Sequence, residues 1–400
     1  MPLLANYEQF AGRHYETGTL HNYYAYCGVK APHTGQPYSE ALFMGVSGGA
    51  VVGYFTFAYA GYAPHVALLT RNTFDPLNTM LSRLGVVQEV RQTSKPEKGL
   101  SNLLDTLEEG LPAIVWADMW SLPYNGLSYD DGMWAMLPLI VYGYDAAADQ
   151  VWLADRASVP LTVTTAELAT ARGRVKKDKY RIMTLDQPDP DKLAAAVTAG
   201  IWDCVNLYTE KPPKGSANNW GLKGLRWWAE LLTHPKQRMS WAKEFPIGAK
   251  LYAGLTSAFD FGAVGIRGDA ERPLYADFLD EASIILNKPN LREVAQIFRQ
   301  SGRAWQQLAL MLLPEEVPLL QETRQLIVRR RQRFTVVGGA AWAEIQQINA
   351  RVKEIRTAVA DDFPLREQEV MALQAQLADQ ILQILALEEQ AVYALRAAMT

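Results

Sequence analysis

The chain has 400 residues, of which 49% are hydrophobic and 20% are charged, and its formal net charge is −4. This composition is typical of a globular protein with two or three domains, and it excludes a disordered chain. The negative charge gives no reason to expect a nucleic-acid partner, because phosphate binding needs clustered basic side chains. Two short basic runs, at 176–179 and 328–334, fit solvated helix faces.

The cysteine content and the N-terminus bound the class of protein further. The two cysteines, Cys27 and Cys204, lie far apart, which favours neither a disulfide framework nor a structural zinc site. The N-terminus lacks the basic and apolar segments of a signal peptide, and no window approaches about 18 uninterrupted apolar residues. We therefore expect a cytoplasmic protein with no membrane-spanning helix, no metal and no cofactor.

Residues 1–185 alternate short helix and strand patterns. Apolar periodicity predicts helices at about 18–27, 39–45, 76–84 and 99–109. Aromatic and β-branched runs predict strands at 51–57, 65–70, 112–117, 139–144 and 150–154. Since a short polar stretch joins the last two strands as a hairpin loop, at least part of the sheet is expected to be antiparallel.

The second half of the chain is expected to be helical. An acidic, proline-containing segment at 185–192 predicts a linker, and strand patterns nearly vanish after it. These patterns predict three domains, at 1–185, 190–335 and 338–400. The last is predicted to be a long antiparallel helical hairpin that turns near Phe363. Its final helix carries an apolar stripe at three- and four-residue steps, formed by Val370, Leu373, Leu377, Ile381, Ile384, Leu385 and Val392. Either a bundle within one subunit or a homodimer interface uses such a stripe, and both alternatives stay open.

A polar loop runs into a helix at 12–28, with the sequence GRHYETGTLHNYYAYCG. Cysteine hydrolases place their nucleophile at such a corner, because the helix N-terminus stabilises a thiolate. Here Tyr15 follows His14, and Cys27 lies twelve residues further on, about 18 Å along the helix axis. Cys27 is therefore expected to be a buried structural cysteine, and Cys204 a core residue.

Residues 45–49, GVSGG, satisfy the nucleophile-elbow pattern G-x-S-x-G. That pattern requires a strand before it and a helix after it, and the order here is reversed. The motif is therefore interpreted as a glycine-rich turn rather than as the site of a catalytic Ser47.

Several stretches taken together resemble the N-terminal domain of the butirosin biosynthesis protein H family. They are HYETGTLHNYYAYCG (14–28), PYSEALFMGVSGGAVVGYFTF (37–57), HVALLTR (65–71), VYGYD (141–145) and LADR (153–156). The stretch GIRGDAERPLYADFLDEA (265–282) is similar to a helical domain of unknown function that commonly follows that domain. The resemblance implies an α+β architecture, in which a papain-like domain with a mostly antiparallel sheet precedes an all-α domain.

The resemblance also implies acyl-transfer chemistry of secondary metabolism. The best-known member of the family moves an aminoacyl group from a carrier-protein thioester to an aminoglycoside amine. The family begins its helix with a His-Cys pair, which corresponds here to His14 and Tyr15. Its histidine opens the strand that ends in Gly-Tyr-Asp, which corresponds to Leu137 or to Met136, and its third catalytic position corresponds to Asp155.

Tyrosine does not replace the cysteine as an acyl carrier. With an ordinary pKa near about 10 it stays protonated at neutral pH, and no base stands at the matching position to activate it. This paired loss predicts a degenerate or repurposed member that binds a small metabolite, an acyl group or a biosynthetic partner such as an acyl carrier protein. The candidate ligand-binding residues are His14, Glu40, Asp118, Trp120, Tyr124 and Trp134.

Two other functions stay open. One is an active acyltransferase or amide hydrolase in which a carboxylate, such as Asp118, Asp130 or Asp131, acts as a general base without a covalent intermediate. The other is a purely structural dimer. The aromatic side chains around Tyr15 either hold a flat or apolar ligand or fill the space of a vanished catalytic cleft.

Overall fold

A computed structural model describes residues 2–127, 132–260 and 268–400. The strands are β1 (Ala50–Phe57), β2 (His65–Arg71), β3 (Gln88–Arg91), β4 (Ala113–Asp118), β5 (Met136–Asp145), β6 (Gln150–Ala154), β7 (Leu161–Val163) and β8 (Ile182–Leu185). The helices of the first half are α1 (Tyr15–Tyr26), α2 (Glu40–Val46), α3 (Pro76–Arg83), α4 (Pro96–Glu108), α5 (Thr165–Gly173) and α6 (Leu193–Thr209). Those of the second half are α7 (Gly221–Thr233), α8 (Trp241–Glu244), α9 (Ala249–Ala258), α10 (Arg272–Ile285), α11 (Leu291–Leu312), α12 (Pro318–Val337), α13 (Trp342–Ala358) and α14 (Glu367–Met399).

The chain forms two compact units, and each unit takes segments from both halves of the sequence. Unit 1 consists of Met1–Phe43, Leu77–Leu193 and Arg330–Gln347. Unit 2 consists of Met44–Pro76, Ala194–Arg329 and Ile348–Thr400. The units are defined by spatial contacts, so the contiguous domains expected at 1–185, 190–335 and 338–400 stay a prediction.

Unit 1 is built on a six-stranded sheet. Its strand order is β3-β8-β4-β5-β6-β7, and every neighbouring pair is antiparallel. Helix α1 lies against β5, where the Thr19 hydroxyl donates to the carbonyl of Pro138 over 3.3 Å. The start of β5 pairs with the end of β4, and the hydroxyl of Tyr15 points to Met119 directly after β4. The N-terminus of α1 and the start of β5 therefore lie at the same end of the sheet.

Unit 2 is mainly helical, with β1 and β2 as a separate antiparallel hairpin. Helix α14 packs mainly against α7 and α11, and the whole apolar stripe from Val370 to Val392 is buried. The antiparallel pairing expected between the last two helices is therefore wrong as the main packing of α14. A stripe read from one helix shows which face is buried, but not which helices cover it.

A buried ion pair lies inside unit 2. The Arg272 guanidinium donates to Glu388 over 2.7 Å, and both side chains are fully buried. Tyr208, Ser301 and Trp305 also donate to the carboxylate, at 2.8, 2.9 and 2.8 Å. Arg272 donates further to backbone carbonyls of Thr70, Ala270 and Val51. Hydrogen bonds on every side offset much of the cost of burying the two charges.

One described helix, α14, is long and apolar enough to cross a membrane by length and composition alone. Half of its most apolar window is buried inside the protein, as in the core helix of a globular unit. Its buried face also carries the carboxylate of Glu388, which is paired within unit 2.

The structure confirms the expected α+β class, and it contains each helix and strand predicted in residues 1–185. The hairpin of β5 and β6 is antiparallel, with Asp145 opposite Gln150. Strands β3, β7 and β8 and helix α5 were not predicted. The three strands have only three or four residues, too few for a clear alternation. Helix α5 does carry a start signal, the capping box of Thr164 and Glu167.

Candidate functional site

The loop before α1 is held by one buried carboxylate. Glu40 accepts the backbone N–H groups of Arg13 and His14 at 2.9 and 2.8 Å, and it accepts the hydroxyl of Thr17 at 3.0 Å. Nδ1 of His14 lies 3.3 Å from the same carboxylate. A negative charge at a helix N-terminus is favourable, so Glu40 anchors the corner where α1 begins. The structure thus brings two predicted ligand-binding residues, His14 and Glu40, together as an anchor.

The close packing of Gly12 on Gly18 makes this corner sensitive to added volume. A Cβ at Gly12 would lie 2.3 Å from the carbonyl oxygen of Gly18. We expect Gly12→Ala to lower the free energy of unfolding by about 1–3 kcal/mol, because the added Cβ overpacks the contact. Urea denaturation measures this loss. Gly339→Ala is the control, since its Cβ would meet only Tyr124 at 4.0 Å. An equal loss in both variants would contradict the proposed role of the contact.

Tyr15, which is predicted to stand at the family's nucleophile position, is covered by an arginine. The guanidinium carbon of Arg156 lies 4.3 Å from the ring centroid of Tyr15 and 5.0 Å from that of Phe334. The Tyr15 hydroxyl points to the sulfur of Met119, 3.8 Å away. Two aromatic faces thus flank one cation, an arrangement stabilised by cation–π attraction. The guanidinium of Arg156 therefore covers one face of the Tyr15 ring.

Asp155, which is predicted to be the family's third catalytic position, pairs with this same arginine. Nε of Arg156 donates to its carboxylate over 3.2 Å, and the buried Tyr124 hydroxyl donates over 3.1 Å. Arg156 also donates to the side-chain oxygen of Asn125. Burial opposes the charge of Arg156, but the Asp155 carboxylate outweighs it and raises the guanidinium pKa above its ordinary value. Burial, and then the same carboxylate, raise the pKa of Tyr124 well above its usual range.

The two residues predicted to stand at the family's base position carry no titratable group. Met136 and Leu137 begin β5, where they pair with Asp118 and Ala117 of β4. Neither side chain accepts a proton at any ordinary pH. An oriented imidazole is what activates a nucleophile in cysteine and serine hydrolases, and neither position supplies one.

The other predicted residues lie apart from this arrangement. Asp118 is fully buried and accepts the Ser121 hydroxyl at 2.7 Å and the N–H of Ala135 at 2.8 Å, with Arg174 3.8 Å away. Trp134 is 56% exposed. The carboxylates proposed at 130 and 131 lie outside the described residues.

A cleft of about 500 Å³ lies beside the Tyr124 turn in unit 1. Its apolar lining comes from Trp120, Pro123, Leu127, Ala166 and Trp342. Its polar lining comes from Ser121, Glu167, Thr170 and Gln346. Of the predicted ligand-binding residues, Trp120 is the one that lines it. The volume is in the range of small-molecule sites.

Sequence reasoning missed the segment at 330–347, which supplies Phe334 to the arginine and Trp342 to the cleft. The carbonyl of Thr335 accepts the N–H of Ser158 at 2.8 Å, next to Arg156. Gly338 has φ +63° and packs so close to Val159 that a Cβ would lie 2.8 Å away. No local pattern links Phe334 to Arg156, 178 positions earlier, although the Arg156 of LADR was visible as a charge beside Asp155.

Two further motifs have clear outcomes. Cys27 is exposed at the end of α1, so the expectation of a buried cysteine is wrong, although desolvation raises its pKa to about 11. Cys204 is buried as expected. Ser47 is buried and its hydroxyl donates to the carbonyl of Met44 over 2.7 Å, within a turn where Gly48 and Gly49 have positive φ. The motif is therefore a glycine-rich turn, because a catalytic serine needs an exposed hydroxyl.

Two family models match this chain. Among the described residues, no group of three or more histidine, cysteine or acidic side chains is placed to hold a metal ion. A search of the curated proteins found no match. Residues 14–156 match the family model "Butirosin biosynthesis protein H, N-terminal", and residues 166–316 match "Domain of unknown function (DUF4872)". Residues 14–156 of this chain therefore belong to the butirosin biosynthesis protein H N-terminal family, followed by a domain of that second family.

Proposed function

We propose that this protein is a repurposed member of its biosynthetic family that binds a small molecule and does not carry an acyl group covalently. The family places it among the enzyme-like proteins of secondary metabolism. One observation carries the proposal: the guanidinium of Arg156 lies against the rings of Tyr15 and Phe334 and pairs with Asp155. At the three predicted catalytic positions, Tyr15 and Leu137 (or Met136) have side chains that do no acyl-transfer chemistry. The third residue, Asp155, is paired with Arg156.

The retained site supports binding. A cleft with two tryptophans and four polar side chains lies on the same unit, a few residues from the Tyr124–Asp155 hydrogen bond. Clefts of this size with an apolar lining and a few polar groups hold metabolites in many proteins. The proposal keeps three predictions made from the sequence. They are an acyl carrier protein as partner, a homodimer through the C-terminal helices and a cytoplasmic location.

The rival function is general base catalysis by a carboxylate. Asp118 has the required chemistry, but it is fully buried with a hydroxyl, a backbone N–H and Arg174 around it. A general base must reach the proton that it removes, within hydrogen-bond distance of the substrate. Asp118 therefore supports the structure of the turn after β4 better than it supports catalysis.

The proposal predicts no covalent acyl adduct. The protein is incubated with an aminoacyl thioester of N-acetylcysteamine and an amine, and its intact mass is measured over time. The Cys27→Ser variant is used, because an exposed thiol exchanges with thioesters by itself. We expect no mass increase and no amide product above the protein-free rate.

The control is Tyr15→Cys in the same Cys27→Ser background. A thiol at the start of α1 that gains an acyl group shows that thioesters reach this corner, so that the unreacted Tyr15 protein reports chemistry and not access. Saturable amide formation by the Tyr15 protein, abolished by Asp118→Asn, would refute the proposal in favour of the rival.

A further inference from the structure

The walls of the cleft in unit 1 are aromatic. Trp120 comes from the turn after β4, and Trp342 begins α13 and is 47% exposed. Pro123 and Leu127 complete the apolar lining near Trp120. Aromatic faces carry a negative quadrupole, so they attract flat apolar groups and, more strongly, cations.

Ser121 and Gln346 each direct a side-chain donor to another residue of unit 1. Ser121 donates its hydroxyl proton to Asp118 over 2.7 Å, and Gln346 donates its amide to the carbonyl of Gly126 over 3.2 Å. Glu167 uses Oε2 to accept the N–H of Thr164 at 2.7 Å. The cleft keeps a lone pair on Ser121, the side-chain oxygen of Gln346 and Oε1 of Glu167 as acceptors. Its remaining polar groups are the second amide N–H of Gln346 and the hydroxyl of Thr170.

The charge of the cleft has one sign. Among the cleft residues that the structure describes, Glu167 is the one charged side chain, and no lysine or arginine lines the cleft. A carboxylate beside apolar walls repels an anion and leaves the donors of a cation satisfied. Acceptors, a negative charge and aromatic faces together favour an ammonium group.

We propose that this cleft binds a small organic monocation, an amine carried on a flat apolar body that lies between Trp120 and Trp342. The inference rests on the proposed small-molecule function and specifies the chemical class of the ligand. The ammonium group would donate to Glu167 and Gln346, and the apolar body would lie against the tryptophans.

Three probes of equal shape test the class. They are 2-phenylethylamine, which is a cation at neutral pH, 2-phenylethanol, which is neutral, and 3-phenylpropionate, which is an anion. Dissociation constants are measured by ligand-observed NMR titration of the full chain at low salt. We expect the amine to bind at least about fivefold more tightly than the alcohol, as a cation–π contact with a nearby carboxylate allows, and the carboxylate probe to bind most weakly.

Variants locate the binding. Trp342→Ala is expected to weaken amine binding at least about fivefold, and Glu167→Gln at least about threefold, since removing a wall or a charge loses a cation contact. Glutamine at 167 keeps the capping box of α5, so the helix is retained. Trp134→Ala is the matched control, because this exposed tryptophan does not line the cleft and its loss is expected to change the dissociation constant less than about twofold.

The outcomes separate this inference from the proposed function. Equal binding of alcohol and amine, both lost in Trp342→Ala, overturns the cation and leaves a small-molecule site. Amine binding that is unchanged in both Trp342→Ala and Glu167→Gln would show that the amine binds elsewhere than in the cleft. The absence of binding for all three probes would also overturn the cleft as the binding site. Transfer of an acyl group by the Tyr15 protein overturns the proposed function whatever the probes do.

Discussion

Replacing Glu388 with alanine is expected to lower the free energy of unfolding by about 3–5 kcal/mol. The substitution leaves the guanidinium of Arg272 buried without its carboxylate, and it removes the acceptor of Tyr208, Ser301 and Trp305. Urea denaturation followed by tryptophan fluorescence measures the loss. Glu389→Ala on the same helix is the control, and its partly exposed side chain is expected to cost less than about 0.5 kcal/mol.

The same carboxylate predicts how stability depends on pH. Burial alone would raise the pKa of Glu388, but Arg272 outweighs it and holds the pKa below its ordinary value. A depressed pKa contributes stability above the unfolded value of about 4.3, and that stability is lost as the pH falls through the folded value. The difference in the free energy of unfolding between the wild type and Glu388→Gln is therefore expected to be constant from about pH 6 to 7 and to shrink at lower pH. A difference that grows on acidification would contradict the ion pair.

The second large effect is expected at Asp155. Asp155→Ala removes the carboxylate that Arg156 and the buried Tyr124 hydroxyl share. We expect a loss of about 2–3 kcal/mol in the free energy of unfolding, less than for a fully buried pair because Arg156 is partly exposed. The ring of Tyr15 should then gain mobility, since its stacked arginine has lost the anchor.

Asp155→Asn separates the two roles. Asparagine keeps an acceptor for the Tyr124 hydroxyl and loses the charge that holds Arg156, so its cost is expected to be about half that of alanine. Urea denaturation measures stability, and NMR of tyrosine labelled at ring carbons measures the motion of Tyr15. An unchanged Tyr15 signal in both variants would show that Arg156 is held on the ring by other contacts.

Much of the N-terminal part was predictable from local signals. Apolar periodicity and β-branched runs located α1 to α4 and the strands β1, β2, β4, β5 and β6, because those elements are long enough to show a period. Strands as short as β3, β7 and β8 show none, since they exist only through pairing with neighbours. Helix α14 was predicted correctly as an element, and its packing partners were not.

The candidate site shows the same division. The resemblance in the sequence predicted that Tyr15 stands where the family has cysteine, and that Met136 or Leu137 stands where it has histidine. It could not show that Arg156 lies on both Tyr15 and Phe334, because these rings are 141 and 178 positions away from it along the chain.

The composition and the motifs determined the α+β class and the resemblance to a known family, because residue identity at a position is a local property. The tertiary structure alone decided that Glu40 anchors the α1 corner, that Arg156 lies on the rings of Tyr15 and Phe334, and that Trp120 and Trp342 form one cleft. These are contacts between residues remote in sequence, which depend on how buried apolar faces choose their partners and not on any pattern within one element.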